Sequence, residues 1–144
     1  MIKSSATAVW TGGLKDGKGT VGSGNGAFVD VPYDFGKRFE GAGTPGTTPE
    51  ELIAAAHAGC YAMALSGGLN KAGVASPEIQ AVATVSLDMV DGKPVVTSSH
   101  LVVQVKAAGL TAEQFADIAE GTKTGCPISR ALNTNITLDA KLVG

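Results

Sequence analysis

The chain has 144 residues, 44% of them hydrophobic, and a formal net charge of −2. This length suits one domain over residues 1–144 with a hydrophobic core of its own. The eleven lysines and arginines are scattered, so the charge pattern gives no indication of a nucleic-acid or anionic-membrane partner.

The first 33 residues are predicted to form short strands separated by glycine turns, because Trp10 is followed by TGG and the turn GSGNG covers 22–26. A glycine-rich loop is expected over 33–48, and it contains Arg38. Loops of this kind often carry functional groups. Four aromatic residues could line an apolar pocket here or pack in the core: Phe28, Tyr33, Phe35 and Phe39.

A long helix is predicted from Thr48 to Gly73. Thr48 is a natural N-cap, Glu51 completes a capping box, and Gly73 is a plausible stop. The helix interior is apolar on nearly every side, so we expect a buried helix. Its alanines and glycines would allow a second helix of the same kind to pack closely against it.

The second half of the chain predicts a hairpin, two shorter helices and a strand. EIQAVATVSLDMV alternates apolar and polar residues, and Asp91-Gly92 predicts a turn into VVTSSHLVVQVKA. Thr111 and Gln114 predict a capped helix, and Cys126 before a proline predicts the cap of a shorter one. TNITLDAKLV closes the chain as a strand. Strands joined by hairpins imply antiparallel sheets, so the fold class is α+β.

The sequence also favours a cytoplasmic location. The N-terminus has no apolar core of signal-peptide length, and the longest apolar stretch, 52–65, is shorter than the roughly 20 residues of a membrane span. We therefore expect a soluble cytoplasmic protein without a membrane partner. Thiols stay reduced in that compartment, so a permanent structural disulfide is not expected.

The two cysteines, Cys60 and Cys126, admit three interpretations. Cys60 lies among alanines and can simply be a small apolar core residue. A metal site would have to add His57 and His100, but no CxxC or HxxxH spacing is present. A redox site would need a reactive thiolate, a second thiol and a cation. The helix N-terminus predicted at Cys126 favours a thiolate there.

The cation of such a redox site would be Arg38 or Arg130, the only two arginines. A carboxylate would orient it, and Glu50 has no local task beyond a weak interaction with the helix dipole. Glu50 and Cys60 lie ten positions apart on one helix, which places them about 15 Å apart along its axis. If both serve one site, Glu50 comes from a second subunit or acts through Arg38. This predicts a dimer with sites built from both chains.

Four segments occur in an order typical of the OsmC/Ohr proteins, the osmotically inducible and organic-hydroperoxide-resistance thiol peroxidases: RFEG, TPEELIAAAHAGCYAMALS, VSLDMVDG and GCPISRAL. The chain resembles this family over essentially its whole length, and the RFEG loop is closer to the OsmC branch. The resemblance implies an OsmC-like α+β fold with antiparallel sheets around a long buried central helix. It also implies an intertwined homodimer with two sites at the interface.

The resemblance further implies roles for four residues. Cys60 matches the peroxidatic cysteine and Cys126 the resolving cysteine, which together close a disulfide after a sulfenic acid forms. Arg38 matches the arginine that interacts with the thiolate, and Glu50 matches the carboxylate that positions it. Proteins of this family reduce organic hydroperoxides and, less specifically, hydrogen peroxide, without a metal or flavin cofactor. A dithiol reductant would then restore the two thiols.

The order of attack and the type of function leave alternatives open. The resemblance assigns the first attack to Cys60, whereas the helix N-terminus favours Cys126. Arg38 close to Cys60 would reconcile the two. One alternative function is a redox sensor or small-molecule-binding protein that uses the thiol pair as a switch. Another is an acyl-transfer enzyme in which His57 activates Cys60.

Overall fold

A computed structural model describes all 144 residues, which form two compact units, residues 1–52 and 53–144. The single domain expected over 1–144 stays a prediction. The secondary-structure elements in chain order are β1 (Ala6–Thr11), β2 (Lys18–Ser23), β3 (Val31–Tyr33), α1 (Phe35–Phe39), α2 (Pro49–Lys71), β4 (Glu78–Val90), β5 (Lys93–Lys106), α3 (Ala112–Gly125), α4 (Pro127–Ala131) and β6 (Asn135–Leu142).

The first unit is built on a three-stranded antiparallel sheet in the order β1-β2-β3, which confirms the predicted short strands. The expected loop over 33–48 is partly wrong, because it contains the short helix α1. The Asp34 side chain caps this helix by accepting a 2.7 Å hydrogen bond from the Lys37 backbone N–H. This helix carries Arg38.

Both ends of α2 lie where the sequence predicts them. The Thr48 hydroxyl accepts a 3.0 Å hydrogen bond from the Glu51 backbone N–H, as expected of an N-cap. The second half of the predicted capping box is replaced, because the Glu51 carboxylate accepts a 2.6 Å bond from the Thr47 hydroxyl. At the other end Gly73 has a φ of +93°, which a glycine adopts without strain and which turns the chain away from the helix.

The predicted burial of α2 applies to one side of the helix in the single chain. The buried residues lie on this side and recur every four positions: His57, Tyr61, Leu65 and Leu69. The opposite side is exposed and carries mostly small residues at the same spacing: Ala55, Gly59, Met63 and Gly67. By length and composition alone α2 could cross a membrane, a property that core helices of soluble proteins share.

The second unit contains a three-stranded sheet in the order β4-β5-β6. The predicted hairpin is confirmed, with Asp91 and Gly92 at φ values of +52° and +76° in its turn. The prediction of purely antiparallel pairing is wrong, because β6 runs parallel to β5. The connection between them includes α3 and α4, and such a crossover returns the chain to the end from which β5 started. The α+β class is confirmed.

The core of the second unit lies between the buried side of α2 and one face of β5. Its largest fully buried side chains include Leu101, Val103 and Val105 of the strand, which alternate with exposed residues. Phe115 of α3 packs into the same cluster. Cys126 also belongs to this cluster and is 1% exposed. The core therefore holds one of the two thiols away from water.

Candidate functional site

The fold brings Cys60 and Cys126 to the first turn of α4. Cys126 caps this helix, and its Sγ accepts a 3.3 Å hydrogen bond from the Ser129 backbone N–H. The Ile128 backbone N–H donates to the Sγ of Cys60 at 3.5 Å. Both cysteines are free thiols. The sequence assigned the amides of α4 to Cys126 alone, whereas the structure shares them between the two sulfurs.

The surroundings of Cys60 within this unit favour the thiol over the thiolate. Burial raises the pKa of Cys60, and the nearby Cys126 thiol raises that pKa further, while the Ile128 N–H lowers it. None of these groups carries a positive charge. A thiolate at Cys60 therefore requires a cation beyond the groups that surround it in the second unit.

Arg38 and Glu50 form an ion pair in the first unit. The Nη2 and Nε atoms of Arg38 donate to Oε1 of Glu50 at 3.0 and 3.2 Å. The Glu50 side chain is 9% exposed and the Arg38 side chain 36% exposed, so the carboxylate is buried while part of the guanidinium faces solvent. This two-bond arrangement fixes the plane of the guanidinium. Arg130, the other arginine, is exposed on α4.

A cavity of about 250 Å³ adjoins Arg38 in the first unit, lined by Trp10, Leu14, Tyr33, Asp34, Phe35, Arg38 and Phe39. Three of the four aromatic residues singled out in the sequence contribute to it, and Phe28 does not. Trp10 packs against Tyr33 at a centroid distance of 5.4 Å, which indicates an aromatic wall. Sequence reasoning missed Trp10 and Leu14, because they lie on or just after β1, far from the loop in the sequence.

His57 is fully buried and lies between two serine hydroxyls. Its Nδ1 is 2.6 Å from Ser99 Oγ, and its Nε2 is 2.7 Å from Ser129 Oγ. Burial lowers the pKa of His57, which favours the neutral ring in the resting protein. The acyl-transfer alternative required His57 to activate Cys60, but both ring nitrogens are occupied by the serines.

Sequence reasoning missed Ser99 and Ser129. Each left a signal that could have been used. Ser99 continues the alternation of Leu101 and Val103 along β5 and is a polar residue on the buried face. Ser129 is the third residue after the cap Cys126, the position whose backbone N–H bonds the cap. What the sequence could not show is that both hydroxyls converge on one imidazole.

Two free thiols that meet at the start of a short helix, carried by an α+β fold, are typical of a thiol-dependent enzyme. Comparison with known proteins gives the family. The sequence-family model described as OsmC-like protein matches residues 41–141. Peroxiredoxin OsmC of Escherichia coli strain K12 is 45% identical over 141 residues, which cover 98% of this chain and 97% of that protein. The chain belongs to the OsmC-like protein family, which confirms the resemblance.

Solved structures with the same fold agree with this assignment. An organic hydroperoxide resistance protein from Elizabethkingia anophelis, crystallised with thiocyanate bound, has a TM-score of 0.72 and 26% identity, with 100% of this chain and 97% of that chain covered. OhrB of Bacillus subtilis, an organic hydroperoxide resistance protein, has a TM-score of 0.70 and 25% identity, with 95% and 98% covered.

Proposed function

We propose that the protein is a soluble cytoplasmic thiol peroxidase that reduces organic hydroperoxides and, less efficiently, hydrogen peroxide. The Cys60 thiolate attacks the peroxide and becomes a sulfenic acid, and an alcohol or water leaves. Cys126 then attacks that sulfur, so a disulfide forms and water is released. A dithiol reductant restores both thiols. The peroxiredoxin name of the Escherichia coli relative supports this class of reaction.

The observation that carries the proposal is the meeting of the two thiols at α4. Cys60 and Cys126 come from different helices, and Ile128 and Ser129, neighbours in one helical turn, donate to one sulfur each. A pair of free thiols within reach of each other is what a sulfenic acid needs in order to be resolved as a disulfide. A structural role alone would not require both sulfurs at one set of amides.

The cation that the reaction needs is Arg38, oriented by Glu50. A permanently charged guanidinium beside Cys60 would lower the pKa of that thiol and polarise the O–O bond of the peroxide. Since Glu50 holds Arg38 and lies about 15 Å from Cys60 along α2, we propose that a second copy of the chain supplies both residues. The site is then complete only in a homodimer.

The exposed side of α2 supports this dimer. Ala55, Gly59, Met63 and Gly67 form an apolar stripe with little side-chain bulk, and Met63 is 79% exposed. Such a stripe permits close approach of a second helix, and an apolar surface of this kind is stabilised by being covered. We propose that the two copies of α2 pack against each other along it.

The cavity beside Arg38 supports an organic substrate. Its walls are mainly aromatic and aliphatic, and its two charged lining residues are Asp34 and Arg38. An alkyl or aryl group would pack against Trp10 and Phe35 while the peroxide group stays near the guanidinium. Hydrogen peroxide has no such group and would gain nothing from these walls.

Steady-state turnover with cumene hydroperoxide and dithiothreitol tests the proposal. With dithiothreitol present, we expect continuous peroxide consumption by the wild type and none by Cys60→Ser. In a separate reaction without dithiothreitol, both the wild type and Cys126→Ser should consume one equivalent, but Cys126→Ser should retain a sulfenic acid at Cys60 where the wild type forms the disulfide. Wild-type consumption by Cys60→Ser would contradict the assignment. A redox sensor would consume one equivalent and stop even in the wild type with reductant present.

A further inference from the structure

A buried chain of hydrogen bonds connects His57 to the second thiol. The Nε2 atom of His57 is 2.7 Å from the Oγ of Ser129, and that same Oγ is 3.0 Å from the Sγ of Cys126. Ser129 is 6% exposed, and His57 is fully buried. One serine hydroxyl therefore contacts both an imidazole and a thiol in a region with little access to water.

The peroxide step leaves this chain of hydrogen bonds without a task. The proposed first attack needs Cys60 and the Arg38–Glu50 pair, and the serine–imidazole chain ends at Cys126 instead. A buried imidazole that is hydrogen-bonded at both nitrogens contributes little net stability, because desolvation of the ring largely offsets its hydrogen bonds. An arrangement of this kind therefore points to chemistry at Cys126.

The hydrogen-bond directions are consistent with proton transfer from Cys126 toward His57. If Nδ1 of His57 carries the proton and donates to Ser99, Nε2 has a free lone pair that accepts from the Ser129 hydroxyl. The Ser129 oxygen can then accept from the Cys126 S–H. In this tautomer Ser99 accepts from Nδ1 and leaves Nε2 free to accept from Ser129.

We propose that Ser129 and His57 form a proton relay that activates Cys126, the resolving cysteine, for its attack on the sulfenic acid of Cys60. Ser129 is the catalytic residue of the relay because it touches the reacting sulfur, and His57 acts through it as a positioning residue and proton acceptor. The proposal rests on the peroxidase function and deepens it by assigning the second step.

The Cys126 S–H proton passes to the Ser129 oxygen while the Ser129 hydroxyl proton passes to Nε2 of His57, which leaves a thiolate. The thiolate electron pair forms the S–S bond to Cys60, and the S–O bond of the sulfenic acid breaks. The departing hydroxide takes up one proton and becomes water, and the imidazolium returns to the neutral ring. Cys126 is oxidised by one electron equivalent and the sulfenic sulfur of Cys60 is reduced by one.

After the reaction, the same hydrogen bonds would serve the thiolate during reduction. Ser129 donates its backbone N–H to Cys126 at 3.3 Å, and its hydroxyl can turn to donate to a thiolate as well. When a dithiol reductant attacks the Cys60 sulfur of the disulfide, Cys126 leaves as a thiolate that this arrangement stabilises. The same residues therefore accept the Cys126 proton during disulfide formation and stabilise the Cys126 thiolate during reduction.

A single-turnover experiment separates the two steps. The full-length protein is reduced, mixed with one equivalent of cumene hydroperoxide, and sampled for Cys60 sulfenic acid by dimedone trapping and for the disulfide by mass spectrometry. We expect His57→Gln and Ser129→Ala to slow disulfide formation at least tenfold, a conservative threshold beside the roughly 10²–10⁴-fold that a positioned proton-transfer group typically contributes. Sulfenic acid formation should stay within about twofold of the wild type.

Two further variants distinguish a relay from a merely structural role. Ser129→Thr keeps the hydroxyl, and we expect it to restore disulfide formation to within about threefold of the wild type. His100→Gln is the matched control, because His100 is the other histidine and its Nδ1 lies 2.6 Å from the Thr137 hydroxyl, a pair that includes no thiol. We expect the wild-type rate for this control.

The outcomes distinguish failure of the relay from failure of the peroxidase proposal. Disulfide formation in His57→Gln within twofold of the wild type would overturn the relay and leave the peroxidase function intact. Equal slowing of both steps in His57→Gln would also overturn it, since the histidine would then act on the site as a whole. No oxidation of Cys60 in the wild type would instead contradict the proposed function.

Discussion

Replacing Glu50 with glutamine keeps the shape of the side chain and removes its negative charge. The carboxylate accepts hydrogen bonds from Nη2 and Nε of Arg38 at 3.0 and 3.2 Å and is largely buried. The amide oxygen of glutamine can still accept one of these bonds, so the variant loses the charge and about one charge-assisted bond. Such a bond contributes roughly 1.5–3 kcal/mol, and each 1.4 kcal/mol corresponds to about tenfold.

Exposure of the guanidinium reduces this estimate. The Arg38 side chain is 36% exposed, and solvent screens part of the interaction. We therefore expect the lower end of the range, a fall of about tenfold in kcat/KM for cumene hydroperoxide in Glu50→Gln. The cause would be an arginine that no longer holds its orientation toward the Cys60 thiolate and the peroxide.

The assay is steady-state peroxide consumption with dithiothreitol, repeated with Glu40→Gln as the matched control. Glu40 is an exposed carboxylate that follows α1, so its change to glutamine removes the same charge close to Arg38 in the sequence. The pH dependence of Cys60 alkylation in a Cys126→Ser background gives a second readout, and Glu50→Gln should move its midpoint upward. Wild-type activity in Glu50→Gln, or an equal loss in both variants, would refute the role of the ion pair.

Three other predictions concern the dimer, the pocket and the buried histidine. Met63→Glu places a charge on the exposed apolar stripe of α2, and we expect a monomer in sedimentation equilibrium with activity reduced at least tenfold, whereas Met63→Leu stays dimeric. Phe35→Ala removes part of the aromatic wall, and we expect the KM for cumene hydroperoxide to rise about fivefold or more while that for hydrogen peroxide stays unchanged. Burial lowers the pKa of His57, so the unfolded chain binds a proton that the folded chain does not. Urea titrations should therefore show that the free energy of unfolding falls as the pH drops below about 6.5, by at most about 1.4 kcal/mol per pH unit. This fall should be less steep in His57→Gln.

Each of these three predictions has a result that would contradict it. A Met63→Glu variant that remains a fully active dimer would exclude the exposed side of α2 as the interface. Equal changes in KM for both peroxides in Phe35→Ala would mean that the cavity does not bind the organic group. Identical pH slopes for the wild type and His57→Gln would mean that the histidine titrates in the folded chain as it does in the unfolded one.

Local signals predicted the elements that position the thiols. Thr48 and Gly73 fixed the two ends of the long helix, and Cys126 before a proline predicted the start of α4, because caps and turn residues act through neighbours in the sequence. The hairpin turn at Asp91 was predicted for the same reason. Each of these signals depends on backbone groups within a few residues, so no knowledge of the tertiary structure was needed.

Features that depend on distant residues were not predictable in the same way. The parallel pairing of β6 with β5 depends on where the crossover through α3 and α4 returns the chain. The exposed side of α2 was expected to be buried, because composition cannot distinguish burial in the same chain from burial by a second copy. The hydroxyls of Ser99 and Ser129 lie 42 and 72 positions from His57 and meet it only in the folded chain.

The proposed mechanism requires that Cys60 and Cys126 form one disulfide when the protein reduces a peroxide. The most direct test is mass spectrometry of the reduced protein after one equivalent of cumene hydroperoxide, with proteolysis under conditions that prevent thiol exchange. We expect loss of two hydrogens from the intact chain and a cross-linked peptide joining residue 60 to residue 126. Recovery of both cysteines as free thiols, or of Cys60 as a sulfinic acid with Cys126 unmodified, would contradict it.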